Sequence, residues 1–567
     1  MSEEFHAEKV CKNCEKKFVL SSEDLKFLDR LNVVINKNKY SFPEPTCCPD
    51  CRQQRRLAIN NETRLYHRKC DFSGEQIISI YSADKPYKVY KSDIWWSDKW
   101  DPISYGRPFD FNSSFFDQFD DLLKAIPHPA VSTNFQLDEN SMYTNYAGSN
   151  KNCYLIFHAD VNRDCYYGYG LKKCESSLDL YNVFESELCY QCVDCRKCYQ
   201  LRYSKNCINC SDSFFLEDCI GCKNCICCKN LHQKQYCIFN RQLSKQEYEE
   251  FLKSKPLSSL NNIHELEEKW KKFRLQFPFR DVQKYQCENS NGDQLFNCRN
   301  VQSSFDIENL HDGRYCYQLY NGAKDCMDVY QFGLNAELCY ESSIVGYNAF
   351  GLHFCQLCRE QVSDLNYCHE CSHSSCLFGC FGLRQKKYCI LNQQYSQEEY
   401  ENLVPRIIEH MKKNGEWGEF FPTRISFFGY NETTAQEYFP LGREQALEKG
   451  YKWHDEEEKG FYDGPRENIR DDIHQVDENI KNSVLQCQNC KKSYKIIAGE
   501  LKFYQKMAIP LPLECPICRH QKRLLSRNPR KLFQRTCEKC NNVIQTTFAP
   551  DRPEIVYCET CYKKEVF

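Results

Sequence analysis

The chain has 567 residues, 41 of them cysteine, with 75 basic against 78 acidic side chains and a formal net charge of −3. That length exceeds what one core organises and predicts three to five domains. A mean hydropathy of −0.70 with no run of 18 apolar residues excludes a helical membrane span. Met1–Phe5 shows no basic or apolar leader region, so a cytoplasmic location is expected. Forty-one is odd and many of the cysteines form C-x-x-C pairs, which favours thiolate–metal sites over a disulfide framework.

Residues 1–96 read as a first metal module. Cys11-x-x-Cys14 and Cys48-Pro49-x-Cys51 are two tight turns, each aiming two sulfurs at one point, and together they supply the four thiolates of a tetrahedral zinc site. Cys47 is an extra thiol beside it. From Cys48 onward the segment matches the C-terminus at a constant offset of 467, with Arg52, Arg56, Asn61, Arg68 and Cys70 falling on Arg519, Arg523, Asn528, Arg535 and Cys537. The positions matching Cys540, Cys558 and Cys561 hold Ser73, Lys91 and Ile94. One cysteine cannot hold structural zinc, so Cys70–Trp96 is expected to keep the same shape by packing, with Ile94, Trp95 and Trp96 in place of the metal. Residues 97–150, rich in Trp, Tyr and Phe, read as a packed aromatic connector.

Residues 151–240 carry fifteen cysteines from Cys153 to Cys237. Pairs 21 apart (153/174, 174/195, 189/210, 198/219, 207/228) with steps of 9 and 12 predict a repeat near 20 residues. Short strand-like pieces separated by Asx, Gly and Lys turns make that repeat a solenoid resembling a parallel β-helix. Seven of the fifteen cysteines follow Asn or Asp. Strand alternation turns residues three apart to opposite faces, so Cys189, Cys192, Cys195 and Cys198 are not expected all to point inward along one straight strand. Two readings of these cysteines stay open: a buried thiol ladder, or further metal sites.

Residues 241–300 form a helical connector, with a helical pattern over Asn261–Gln276. Residues 301–392 repeat the first array at an offset of 152, Tyr236-Cys237-Ile238 falling on Tyr388-Cys389-Ile390. Both exits carry an N-cap serine three residues before a glutamate, Ser244/Glu247 and Ser396/Glu399, which predicts a capping helix on each array. Residues 393–480 are a helical and aromatic connector ending in a charged stretch, Asp455–Asp477. His369 and His373, beside Cys368 and Cys371, are candidates for mixed ligation.

Residues 481–567 form a double module. Cys487/Cys490 with Cys515/Cys518 make one four-thiolate site, and Cys537/Cys540 with Cys558/Cys561 a second. Three zinc ions are therefore expected, with more if the arrays bind metal. Arg519, Lys522, Arg523, Arg527, Arg530, Lys531 and Arg535 lie between the C-terminal pairs with no acidic residue among them. They either face the phosphates of RNA or DNA or offset the net −2 of each zinc tetrathiolate.

The stretches Cys11–Leu57 and Cys487–Arg523 resemble the bacterial family known as the probable zinc-ribbon domain, with its C-x-x-C, short helix and C-P-x-C-R. Cys537–Tyr562 resembles its companion ribbon. The whole layout is similar to Cys-rich proteins of candidate-phyla bacteria. This resemblance implies zinc binding and no enzymatic activity.

The fold expected is thus mainly β with short helices, zinc-ribbon modules at both ends flanking two duplicated Cys-rich arrays. No Gly-rich phosphate loop, H-E-x-x-H or nucleophile elbow is present. The reading is a non-enzymatic, zinc-binding scaffold for an unknown macromolecule. A nucleic-acid-binding protein is the alternative, and a solenoid enzyme or thiol redox protein comes behind both.

Overall fold

The computed structural model describes residues 5–133, 137–320, 322–334, 336–337, 339–455 and 466–566. The chain divides into two compact units. One comprises 1–130, 282–455 and 530–532; the other comprises 131–281, 456–529 and 533–567. The N-terminal module therefore belongs with the second cysteine array, and the C-terminal double module with the first. Of the charged stretch Asp455–Asp477, residues 456–465 lie outside the described part.

In the first array every strand but the last pairs in parallel with the segment one turn further on. Tyr154 pairs with Tyr166, Tyr169 with Tyr181, Tyr199 with Ser211, and Cys225 with Cys237. The ladder begins at the Glu139–Lys151 bridge, inside the stretch read as connector. The repeat is the step from Tyr154 to Tyr166, shorter than the period expected from the cysteine spacing, and it is built from triplets. Every third residue has a positive φ, among them Asn152 (55°), Asp164 (51°), Asp194 (53°) and Asn206 (52°). A left-handed residue turns the chain, so the residue after it again points inward. Fourteen of the fifteen cysteines occupy this inward position and fill a continuous core with Ile156, Leu171, Val183 and Leu216. Cys227 is the exception and has a positive φ itself.

This geometry corrects the alternation argument. Cys189, Cys192, Cys195 and Cys198 are all buried in the same core, because Gln191, Asp194 and Lys197 are each left-handed and redirect the chain between them. So short a turn encloses a narrow interior, which explains the small inward residues Cys, Ser and Ala. It also explains the Asn and Asp before cysteine, since these residues tolerate the left-handed region best after glycine. Their side chains form ladders between turns: Asn140 donates to Asn152 (3.0 Å) and Asn152 to Asp164 (3.1 Å).

The second array begins at Lys284, with Gly292 pairing Ser304 and Phe305 pairing Tyr317. Between Tyr317 and His369 its turns lengthen by one position, as in Tyr317–Tyr330, Tyr330–Ser343 and Gln356–His369. The offset of 152 at the exits consequently shrinks turn by turn. Asp328 becomes the counterpart of Asp179, Glu341 of Gln191, and Tyr315 of Tyr167. Both exits end in the expected helix, reached through a short antiparallel strand. Those helices, Lys245–Ser254 and Gln397–Lys413, start in complete capping boxes at Ser244/Glu247 and Ser396/Glu399. Helix Leu260–Phe273 with its 3-10 extension to Gln276 fills the predicted helical connector.

Candidate metal centres and the basic segments beside them

Three groups of four cysteine sulfurs converge: Cys11/14/48/51, Cys487/490/515/518 and Cys537/540/558/561, with all sulfurs of a group within 4.8 Å of one another. These are the twelve residues singled out by spacing. Local structure explains the convergence. In each leading knuckle a left-handed residue follows the second cysteine (Glu15, Lys491, Asn541), and its N–H closes the turn onto the first cysteine's carbonyl at 2.9–3.0 Å. In the first two groups the second pair opens a helix, Pro49–Leu57 or Pro516–Leu525, with proline in its first turn.

The donor set fits zinc. Sulfur–sulfur distances across the pairs are 3.7 Å (Cys14–Cys48), 3.7 Å (Cys490–Cys515) and 3.8 Å (Cys540–Cys558). A tetrahedron with Zn–S near 2.3 Å requires about 3.8 Å. Backbone donors prepare the thiolates: Cys48 N–H lies 3.3 Å from the Cys11 sulfur and Cys558 N–H 3.3 Å from that of Cys537. Burial works against the Cys487 and Cys537 thiolates, but surrounding backbone N–H groups outweigh it and bring both pKa values down to about 6.

The fourth knuckle keeps its shape with one cysteine. Gly74 takes the left-handed position, its N–H closes onto Cys70 O at 2.8 Å, and the Cys70 sulfur accepts from Ser73 N–H (3.4 Å) and Lys91 N–H (3.3 Å). Trp95 is fully buried with its indole N–H on Pro127 O at 3.0 Å. Ile94 and Trp95 are both buried in this copy, where the C-terminal copy brings four sulfurs together.

Among the described residues no cysteine of either array joins a further group of three ligands within that 4.8 Å limit. All 41 thiols are free. The array thiols donate to backbone carbonyls instead: Cys192 to Leu201 O at 3.3 Å, Cys195 to Val193 O at 3.3 Å, Cys210 to Cys219 O at 3.4 Å. Burial raises the Cys174 and Cys316 thiols to about 12, so these stay protonated. His369 packs between Phe381 and Phe427, and His373 reaches Glu360 at 3.9 Å, so neither joins a sulfur group.

The basic residues between the knuckles are mostly turned inward. Arg519 pairs with Asp179 (2.8 Å) and Glu500 (3.1 Å); Arg523 pairs with the other oxygen of Asp179 (2.9 Å); Arg527 pairs with Asp194 (2.8 Å). Arg530, which belongs to the first unit, pairs with Asp306 at 2.9 Å. Arg535 is held by Glu538 (2.7 Å) and by backbone carbonyls of its own module. Lys522 remains 67% exposed beside Glu514, and Lys531 is engaged as well. Five of the seven candidate nucleic-acid residues thus have their guanidinium groups committed within the protein.

The same arrangement occurs twice. In the first unit Arg52 pairs with Asp328 (2.8 Å), Arg56 with the other Asp328 oxygen (3.2 Å), and Arg55 with Glu341. Arg52 lies over Tyr315 at 5.2 Å, as Arg519 lies over Tyr167 at 5.1 Å. Tyr315 donates to Asp24 and Tyr167 to Glu500, the acids at corresponding positions of the two modules. Each module is thereby locked onto an array by two arginines one helical turn apart that share one aspartate. The sequence exposed the arginines, but their partners lie in distant parts of the chain with no local pattern to mark them. Aligning the arrays turn by turn would have flagged Asp179 and Asp328 as equivalent.

No family model and no curated protein matches this chain. Among solved structures, a "putative acetyltransferase" from Desulfovibrio desulfuricans G20 overlays 49% of this chain and 81% of its own at 9% identity. Its TM-score is 0.10, and the overlay carries no argument.

Proposed function

We propose that the protein is a non-enzymatic zinc scaffold. Three zinc-ribbon modules are fastened to two thiol-lined β-solenoids, and the surfaces so displayed engage a macromolecular partner. The observation that carries this reading is the trio of convergent four-sulfur groups. Structural zinc sites of this type are closed, four-coordinate and stabilise the fold around them. The twelve ligands would hold the metal, and when bound it supplies cross-links between chain segments and no open coordination position. The parallel ladders support the solenoid reading and the carbonyl-bonded thiols support a ladder over further metal. Internal use of the arginines removes the main support for nucleic acid as the partner.

The test is elemental analysis beside thiol titration. Three zinc per chain are expected, with the 29 cysteines outside the sites unreactive until denaturant is added. Cobalt substitution should give tetrahedral thiolate bands. Fewer than two metals per chain, or clearly more than three, refutes the assignment.

A further inference from the structure

The two module helices meet their arrays in the same way but differ on one outer side. In the first unit, helix Pro49–Leu57 is covered by the segment that follows the second array. Ser426 donates to Ala58 O at 2.9 Å, Gln54 donates to the Tyr430 hydroxyl at 2.8 Å, and Thr434 N–H donates to Asn60 O at 3.0 Å. Leu57 and Ala58 share a core with Tyr430, Ala435 and Tyr451. Next to them the Phe427 ring stacks on His369 with centroids 5.6 Å apart.

In the second unit the counterparts of Asp50, Gln54, Leu57 and Ala58 are Ile517, Gln521, Leu524 and Leu525, one face of helix Pro516–Leu525 by their spacing. Among the described residues of that unit, none covers the helix as residues 426–451 do in the first. Leu525 is 82% exposed and Leu524 partly so, whereas their counterparts Ala58 (3%) and Leu57 (0%) are buried; Ile517 is exposed, as is its counterpart Asp50. Behind this face, where the first unit seats Phe427, the second unit has an open cavity of about 540 Å³. It is lined by Lys205, Phe215, Glu217, Trp270, Arg274 and Leu525, among others. Lys205 takes the place of Gln356: it donates to Ser526 O as Gln356 donates to Ile59 O. No carboxylate pairs with its ammonium group among the described residues. Glu217, at the position of His369, is already held by Arg274 (2.7 Å) and Lys229 (3.4 Å).

We propose that this cavity and the outer face of helix Pro516–Leu525 are a docking site for a partner protein's segment, an irregular peptide presenting an aromatic side chain beside a carboxylate. The covered twin supplies the template for the occupant. The aromatic ring fills the space that Phe427 fills in the first unit, apolar neighbours cover Leu524 and Leu525, and a hydroxyl or carbonyl accepts from the Gln521 amide. The cavity lining carries seven basic against three acidic side chains, which favours a segment with negative charge. The inference goes beyond the scaffold reading by locating one binding surface and its chemistry.

The test uses the full, zinc-replete chain and a fluorescein-labelled synthetic peptide of residues 422–438, which carries Phe427, Phe428, Tyr430, Glu432 and Glu437. Saturable binding is expected, weakened about tenfold by Leu525→Glu and by Leu524→Glu, substitutions on the outer face that leave metal content at three. A scrambled peptide should not bind. Absence of binding at roughly millimolar peptide, or binding untouched by both substitutions, overturns the proposal. So does self-association that Leu525→Glu abolishes, because the face then belongs to a second copy of the chain. Counting zinc in each sample separates failure of docking from failure of the metal assignment.

Discussion

Asp179→Ala is the most informative single substitution. The Asp179 carboxylate is fully buried and shared between Arg519 and Arg523, whose side chains are themselves almost wholly buried. Removing it leaves two buried guanidinium groups with one carboxylate, Glu500, and a few carbonyls between them. Deleting one partner of a buried ion pair costs about 3–5 kcal/mol. For a unit of this size each kcal/mol shifts Tm by about 2–4 °C, so the transition of the second unit should fall by roughly 10 °C or more. Differential scanning calorimetry of the zinc-loaded protein reads this directly, and Asp328→Ala should lower the other transition by a similar amount. Asn at position 179 should recover little, whereas replacing Asp179, Arg519, Arg523 and Glu500 together by apolar residues of similar volume should recover most of the loss. A change below about 1 kcal/mol for Asp179→Ala, typical of exposed pairs, would refute the idea that these arginines fasten the module to the array.

Three further outcomes follow from the same geometry. His128 and His353 are buried neutral, with burial holding both pKa values down to about 4; since their folded values lie below the unfolded one, the first unit loses stability as pH falls from about 6.5 towards 4, by up to about 3 kcal/mol per residue, and His353→Gln should flatten that slope in urea titrations. Asn206 sits at φ 52° and donates to Asp218 at 3.1 Å; Asn206→Val should cost about 2 kcal/mol in denaturant unfolding and Asn206→Gly much less, and equal effects would contradict the left-handed triplet. Cys195→Ser should lower Tm without changing zinc content, while Cys518→Ser should remove one zinc per chain by elemental analysis; a metal loss from the first would load the ladder after all.

The metal sites were legible because a C-x-x-C turn is local: four residues fix where two sulfurs point, and the 467 offset then displays the degenerate copy at Cys70 directly. The arrays were half legible. Cysteines confined to every third position produce separations of 9, 12 and 21 alike, and nothing in those separations says which triplet stacks on which. The turn length is fixed by parallel pairing such as Cys225–Cys237, a long-range choice. The clue that was present and unread is the Asn or Asp before cysteine: it marks the left-handed residue that turns the chain after every third step, and so the fact that Cys189 and Cys192 can share one interior. The fate of Arg519 and Arg523 was not legible at all, because burial opposite Asp179 depends on how a distant array places its outward side chain.

The pairing of the N-terminal module with the second array sets a timing problem for synthesis. The first array leaves the ribosome while the first module still lacks the carboxylates of Asp328 and Glu341. At about 5–20 residues per second, the roughly 210 residues from Ala130 to Glu341 take on the order of 10–40 s. From the emergence of Asp179 until that of Asp328, the wrong array is the one that offers Arg52 and Arg56 a carboxylate. It offers Asp179 but has Gln191 where the second array has Glu341, so a premature embrace of the first module lacks a carboxylate for Arg55. That single exchange of amide for acid leaves the early partner with one ion pair fewer than the later one.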